Sequence, residues 1–236
     1  TRAASARENY GLMGGGSPLL PETRKQAAAL DAELAKRGHT AKSFIAMRYW
    51  KPYAADVVRE VKAWGADRVV LLPLYPQFSS TTTASSMKSW AEAKGPAGVT
   101  VCCYPEGDKF IDAHARALIG AWEAAGKPAN IRCLLSAHGL PETVVQAGDP
   151  YQWQVELTAS KIKPLLPPEW EVEVCYQSRV GPLKWIGPAT DESIRKAATD
   201  GKNILLSPVA FVSEHIETLV ELDIEFGPGL NAVTGE

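Results

Sequence analysis

Short apolar runs rich in β-branched residues alternate with longer segments of mixed polarity along almost the whole chain. The runs are Ser43 to Met47, Val69 to Leu74, Val99 to Tyr104, Ile131 to Leu135, Val172 to Tyr176 and Ile204 to Leu206. Their period and bounding turn residues predict strands. Between them, Glu22 to Arg37, Tyr53 to Trp64, Ser85 to Lys94, Phe110 to Ala125, Tyr151 to Leu165 and Asp191 to Ala198 carry helical spacing, and a further helix is expected from Ser213 onward.

Strands that are apolar throughout, rather than on alternate positions, are buried on both faces. Regular alternation with helices is how a helix-covered parallel sheet is wired. The class predicted is α/β, built as two facing doubly wound parallel-sheet halves. A polar, Pro/Gly-containing stretch at Pro105 to Asp108 divides them. The expected organisation is a first half over residues 1–106, a second over 107–212, and a helix with a C-terminal remnant over 213–236 packing back on the first half.

At 236 residues and 45% hydrophobic, the chain can bury a substantial core. A net charge of −2, without a basic run, leaves no electrostatic footprint for nucleic acid, so a small-molecule partner is expected. No run approaches the ~20 apolar residues of a membrane span, and the first residues lack a secretory layout. A cytoplasmic location follows as an expectation. Cys102, Cys103, Cys133 and Cys175 show no CxxC or other metal-ligand spacing and read as buried reduced thiols.

Candidate chemistry gathers where the strands end, because ligands of parallel sheets bind beyond the carboxyl ends of the strands. Arg48-Tyr49 follows the first run, Tyr75-Pro-Gln77 the second, Ser136-Ala-His138 the fourth, Gln177-Ser178-Arg179 the fifth and Ser207-Pro-Val-Ala-Phe211 the last. Aromatic faces and guanidinium groups suit a large flat ligand with an acidic periphery, although Tyr and Arg at strand ends also occur without one. On a regular helix Glu214, Glu217, Glu221 and Glu225 fall within an arc of about 80°. Such a face is either a ladder for cations or protons or a solvated surface with counter-charges nearby. His215 falls roughly 200° from Glu217 on the same helix, so either one of them points elsewhere or the helix is wide or just starting there.

Several stretches together resemble one family, the ferrochelatases, which insert ferrous iron into a porphyrin at the end of haem synthesis. They are Gly14-Gly-Gly-Ser-Pro18, Met47-Arg-Tyr49, Leu72-Pro-Leu-Tyr-Pro-Gln77, Ser136-Ala-His-Gly-Leu-Pro141, Gly148-Asp-Pro-Tyr151, Cys175-Tyr-Gln-Ser-Arg-Val-Gly-Pro182, Trp185-Ile-Gly-Pro188 and Phe211-Val-Ser-Glu-His-Ile-Glu-Thr-Leu219. They run in the family's order, with the pattern of its bacterial, protoporphyrin-using members.

The resemblance implies a chelatase-like fold with a central cleft, and a lyase with porphyrin and ferrous iron as substrates. It implies His138 and Glu217 at the reacting centre with His215 beside them, and His138 and Glu217 as metal contacts. Arg48, Tyr49, Tyr75, Gln177, Ser178, Trp185 and Phe211 correspond to the porphyrin cleft. Glu214, Glu221 and Glu225 then become a metal or proton path.

The chemistry gives these residue types a reason. Insertion strips two pyrrole protons and the metal's water, so the site needs a base and a route for a divalent cation. Either His138 or Glu217 can take the protons while the other delivers metal. No resident cofactor is implied, and the cysteines present do not support an iron-sulfur cluster. Peripheral contact with the inner membrane is an expectation for so greasy a substrate.

The family's first strand and loop have no counterpart before Gly14, and Gly227-Pro-Gly follows Phe226 at once. The chain therefore reads as shortened or gapped at both ends. Two alternatives remain beside this reading: a chelatase for another metal or tetrapyrrole, of coproporphyrin or cobalt type, and a non-catalytic tetrapyrrole-binding protein.

Overall fold

The computed structural model describes residues 10–179 and 181–226, apart from the side chains of Glu221, Asp223, Glu225 and Phe226. Its order is helix α1 (Leu19–Lys36), α2 (Ala54–Trp64), strand β1 (Val70–Leu71), α3 (Thr83–Glu92), β2 (Val99–Thr100), α4 (Asp108–Ala124), β3 (Ile131–His138), α5 (Glu142–Gln146), α6 (Tyr151–Ile162), β4 (Glu171–Gln177), α7 (Thr190–Thr199), β5 (Asn203–Pro208) and a π-helix (Glu217–Phe226). All strand pairs are parallel: β1 with β2, and β3 between β4 and β5.

The second sheet shows why an unbroken apolar strand belongs at a centre. Cys133, Leu134, Leu135 and Ala137 of β3 are fully buried. Cys133, Leu135 and Ala137 face a core shared with Ile111, Ala115 and Leu118 of α4 and Val155 and Ile162 of α6. Leu134 faces the other way, with Cys175 of β4, Ile194 and Ala197 of α7 and Ile204 of β5. Each such leucine contributes roughly 1.5–3 kcal/mol of transfer free energy. Helices on both faces make this sheet doubly wound, as expected.

The first sheet departs from expectation. The run Ser43 to Met47 forms no ladder and makes only an isolated bridge from Met47 to Tyr53. The Ser43 amide is diverted to the Asp31 carboxylate at 2.7 Å, a side-chain bond that competes with strand pairing. Val69 to Leu74 shrinks to Val70–Leu71, because Pro73 and Pro76 cannot donate to a ladder. Val99 to Tyr104 likewise shrinks to Val99–Thr100. Val70 and Val99 are each 63% exposed, so no packed face extends these strands.

Direct bonds join the segments after β1 and β2 to α6. The Gln77 side-chain amide donates to the Thr158 hydroxyl on α6 at 3.0 Å, and Thr158 in turn donates to the Pro105 carbonyl at 2.6 Å. Gln26 of α1 donates to the Val212 carbonyl. No described helix is long and apolar enough to cross a membrane.

Candidate functional site

β3 ends at His138 and its neighbour β4 ends at Gln177, with the two residues in register. The chain leaves β3 through Gly139, where a Cβ would lie 3.0 Å from the Gln177 carbonyl oxygen and 3.3 Å from the Trp185 ring. A side chain there would push the Gln177 carbonyl or the Trp185 ring back by a few tenths of an ångström. Ser178 then takes a positive φ of 63°, a conformation that costs a non-glycine residue energy and is retained where the surroundings hold it.

Opposite this edge, His138 Nδ1 lies 2.7 Å from Glu217 Oε2. Ser178 Oγ donates to the same carboxylate oxygen at 3.2 Å. Burial pulls the Glu217 carboxyl upward, but the hydrogen bond and charge of His138, the charge of His215 and the Ser178 hydroxyl together hold it below the usual glutamate range. An ionised Glu217 requires His138 to carry a proton on Nδ1, which in the neutral ring leaves the lone pair on Nε2. A carboxylate on one imidazole nitrogen fixes the tautomer and stabilises positive charge that develops on the ring.

The π-helix supplies Glu217 from its first turn, where a carboxylate is also favoured by the helix dipole. His215 precedes the helix: its carbonyl accepts the Leu219 amide at 2.9 Å, and its own amide donates to the Thr218 hydroxyl at 3.0 Å. The regular-helix angle that set His215 and Glu217 on opposite sides therefore does not apply. The His215 ring tilts against Phe211 with centroids 4.6 Å apart, and its Nδ1 lies 3.2 Å from the Ser213 carbonyl oxygen. Burial, opposed by the Glu217 and Glu214 carboxylates and the Ser213 carbonyl, lowers its pKa from the ordinary histidine value.

Glu214 is exposed and accepts a hydrogen bond from Thr218. Glu221 and Glu225 follow on the π-helix, but their side chains lie outside the described residues. The wider turn replaces the regular α-helical arc expected for the carboxylates.

Gln177 is 2% exposed. Thr190 and Ser136 hydroxyls meet at 2.9 Å, Ser136 donates to Gln177 Oε1 at 2.7 Å, and Gln177 Nε2 donates to the Glu217 carbonyl at 3.1 Å. Its amide is thus a buried strut under Glu217 rather than a surface offered to a ligand. Ser136, visible in sequence only as the start of the stretch that leads to His138, and Thr190, which had no sequence signal of its own, complete this support. A polar residue within an otherwise apolar strand was the signal for Ser136.

Arg48, Tyr49 and Tyr75 form a second group. The Arg48 guanidinium lies 4.6 Å over the Tyr49 ring and its Nε donates to Ser85 at 2.8 Å. Burial raises the Tyr75 pKa, opposed by a hydrogen bond with Ser86 and by the charge of Arg48. Tyr49 is 75% exposed and Trp50, not singled out in the sequence, 72%.

Asp149, part of a matching stretch, binds a loop 69 positions away. Its Oδ2 accepts the Ser80 amide at 2.7 Å and the Ser80 and Ser79 hydroxyls at 2.6 and 3.0 Å, while Oδ1 accepts the Tyr151 amide at 2.9 Å. Burial raises its pKa, but the Ser80, Tyr151 and Ser79 bonds outweigh it and hold the carboxyl low. Asp149→Asn is expected to cost roughly 1–3 kcal/mol at neutral pH, read as a lower urea midpoint. Because the folded pKa is depressed, this contribution is complete above the unfolded carboxylate value and is lost as pH falls through the folded one. The gap between wild type and variant should close in acid. A gap independent of pH would contradict the assignment.

Among the described residues, no group of three or more His, Cys, Asp or Glu is placed to hold a metal ion. Cys133 and Cys175 are buried in the second sheet, where burial pushes both thiols up to about 12.

Residues 1–235 match the Ferrochelatase family. Proteins named ferrochelatase from Hyphomonas neptunium and Caulobacter vibrioides are 58% and 60% identical over 95% and 96% of this chain. The chain spans 64% and 66% of those proteins' own lengths. A solved structure of SirB from Bacillus subtilis with Fe3+ is similar in fold, with a TM-score of 0.56 at 15% identity, over 86% of this chain and 77% of SirB.

Proposed function

This chain belongs to the ferrochelatase family, and we propose that it inserts ferrous iron into protoporphyrin IX to give protohaem, the last step of haem synthesis, with His138 and Glu217 at the reacting centre. The observation that carries the proposal is the 2.7 Å contact between His138 Nδ1 and Glu217 Oε2 at the carboxyl edge of the second sheet.

Metal insertion exchanges two pyrrole N–H protons for one divalent cation. His138, with its Nδ1 proton committed to Glu217, receives a pyrrole proton at Nε2. Glu217 stabilises the imidazolium so formed, and release of that proton readies the ring for the second. The negative charge of Glu217 behind the ring favours proton acceptance, because it stabilises the imidazolium as it forms.

Arg48, Tyr49 and Tyr75 from the first half, with Ser178, Trp185 and Phe211 from the second, offer the ring its aromatic and cationic contacts. Gln177 acts behind them by holding Glu217. His215 and the carboxylates of Glu214, Glu217, Glu221 and Glu225 offer a path by which hydrated iron approaches or protons leave. Peripheral membrane contact would give the apolar porphyrin a short route to the cleft.

The test is anaerobic incubation of the full chain with Fe(II) and protoporphyrin, following loss of free-porphyrin fluorescence. Many metalloporphyrins released per protein support the enzyme. Binding with no turnover, or turnover confined to another metal or to coproporphyrin, would overturn this reading.

A further inference from the structure

One pair of nucleophilic groups plays no part in the proposed reaction. Cys102 and Cys103 follow β2 at its carboxyl end, with their Sγ atoms 2.8 Å apart. Burial, expected of all four cysteines, holds for Cys133 and Cys175 but not here: Cys102 is exposed and Cys103 partly so, because β2 ends at Thr100 before reaching them. Gln154 of α6 donates to Cys103 Sγ at 3.7 Å, and the same side chain accepts the Phe78 amide at 2.7 Å. The pair is thus held from the second half, beside the segment that carries Tyr75 and Gln77. The Tyr104 amide, bonded to the Pro76 carbonyl at 2.8 Å, fixes the backbone just beyond it.

From this juxtaposition we infer that Cys102 and Cys103 form a site of reversible oxidative modification, a vicinal dithiol that closes to a disulfide by exchange with a low-molecular-weight disulfide. Exposure makes Cys102 the first sulfur to react. Its thiolate attacks one sulfur of the small disulfide, forming a mixed disulfide and expelling one small thiolate. Cys103 then loses its proton and attacks the Cys102 sulfur, releasing the second small thiolate. Two cysteine protons end on the two released thiols, two cysteine sulfurs are oxidised and the small disulfide is reduced. Burial and the hydrogen bond with Cys102 raise the Cys103 pKa, which suits it to the second, intramolecular attack rather than the first.

The bridge is also easily reopened. Adjacent Cα atoms stand about 3.8 Å apart across a trans peptide, below the usual disulfide span of about 4.4–6.8 Å, and strained bridges are the reducible ones.

The experiment treats the native full chain anaerobically with glutathione disulfide, then alkylates with N-ethylmaleimide and weighs the peptide carrying both residues. The expected product has lost two hydrogens and both labels, and reduced glutathione alone restores both labels. In Cys103→Ser the second step is blocked, so a stable glutathione adduct on Cys102 is expected. A lasting glutathione adduct on the wild-type pair, no reaction at all, or a bridge that only a strong dithiol opens would each overturn the inference. So would the same dehydrogenated peptide from Cys103→Ser.

Discussion

His138→Ala is expected to lower kcat for iron insertion by roughly 10²–10⁴-fold, the usual worth of a positioned acid–base group. Porphyrin affinity should stay within about tenfold, because the residues proposed to contact the macrocycle are untouched. The geometry sets this split: His138 ends a buried strand, with its ring tied to Glu217 rather than packed in the core. Steady-state insertion kinetics beside a fluorescence titration with porphyrin measures both quantities. Near-normal turnover in this variant would refute the role given to His138.

Glu217→Gln should cost roughly 10²–10³-fold in kcat, comparable to loss of one preorganised electrostatic partner. The substitution keeps volume, and its carbonyl oxygen still accepts from His138 Nδ1–H, so it isolates the charge. The carboxyl of Glu217 is held below the usual glutamate range by its partners, chiefly His138, despite burial. A depressed folded pKa means the charge is present across the ordinary carboxylate range and is lost only as pH falls through the lower value. The acid limb owed to Glu217 should therefore lie below that range and vanish in the variant. Loss of activity only in Glu221 or Glu225 variants would place the centre elsewhere on the helix.

Much of this was legible in the sequence, and the uneven parts have physical causes. β3 and β4 were readable because each is buried against neighbours, and the structure extends both beyond their predicted ends, to His138 and to Gln177. The helices read well too, since Tyr53 to Trp64 and Asp191 to Ala198 correspond to α2 and α7 with shifts of one residue at most. Strands around Ser43, Val69 and Val99 were over-read because apolar composition does not reveal that Pro73 and Pro76 interrupt pairing or that Asp31 captures the Ser43 amide.

At the site, His138 and Glu217 were visible as residues but their contact spans 79 positions of sequence and needed the fold. For His215 the sequence left two possibilities, a residue pointing elsewhere or a helix wide or just starting, and the structure shows a π-helix that begins at Glu217. Gln177 carried the right stretch but the opposite exposure: amide side chains at strand ends look the same in sequence whether they meet a ligand or brace a backbone. Asp149 was hidden for the converse reason, since one carboxylate in a turn gives no hint of the distant Ser79–Ser80 loop that it binds.

The claim at the centre is that His138 and Glu217 act as one unit. A double-mutant cycle on kcat/KM for iron insertion, with His138→Ala, Glu217→Gln and both together, tests it directly. Residues that work as a unit are strongly non-additive, so the double variant should be about as impaired as His138→Ala alone. Losses that multiply, with the double variant impaired by the full product of the two single effects, would show two independent groups and contradict the account.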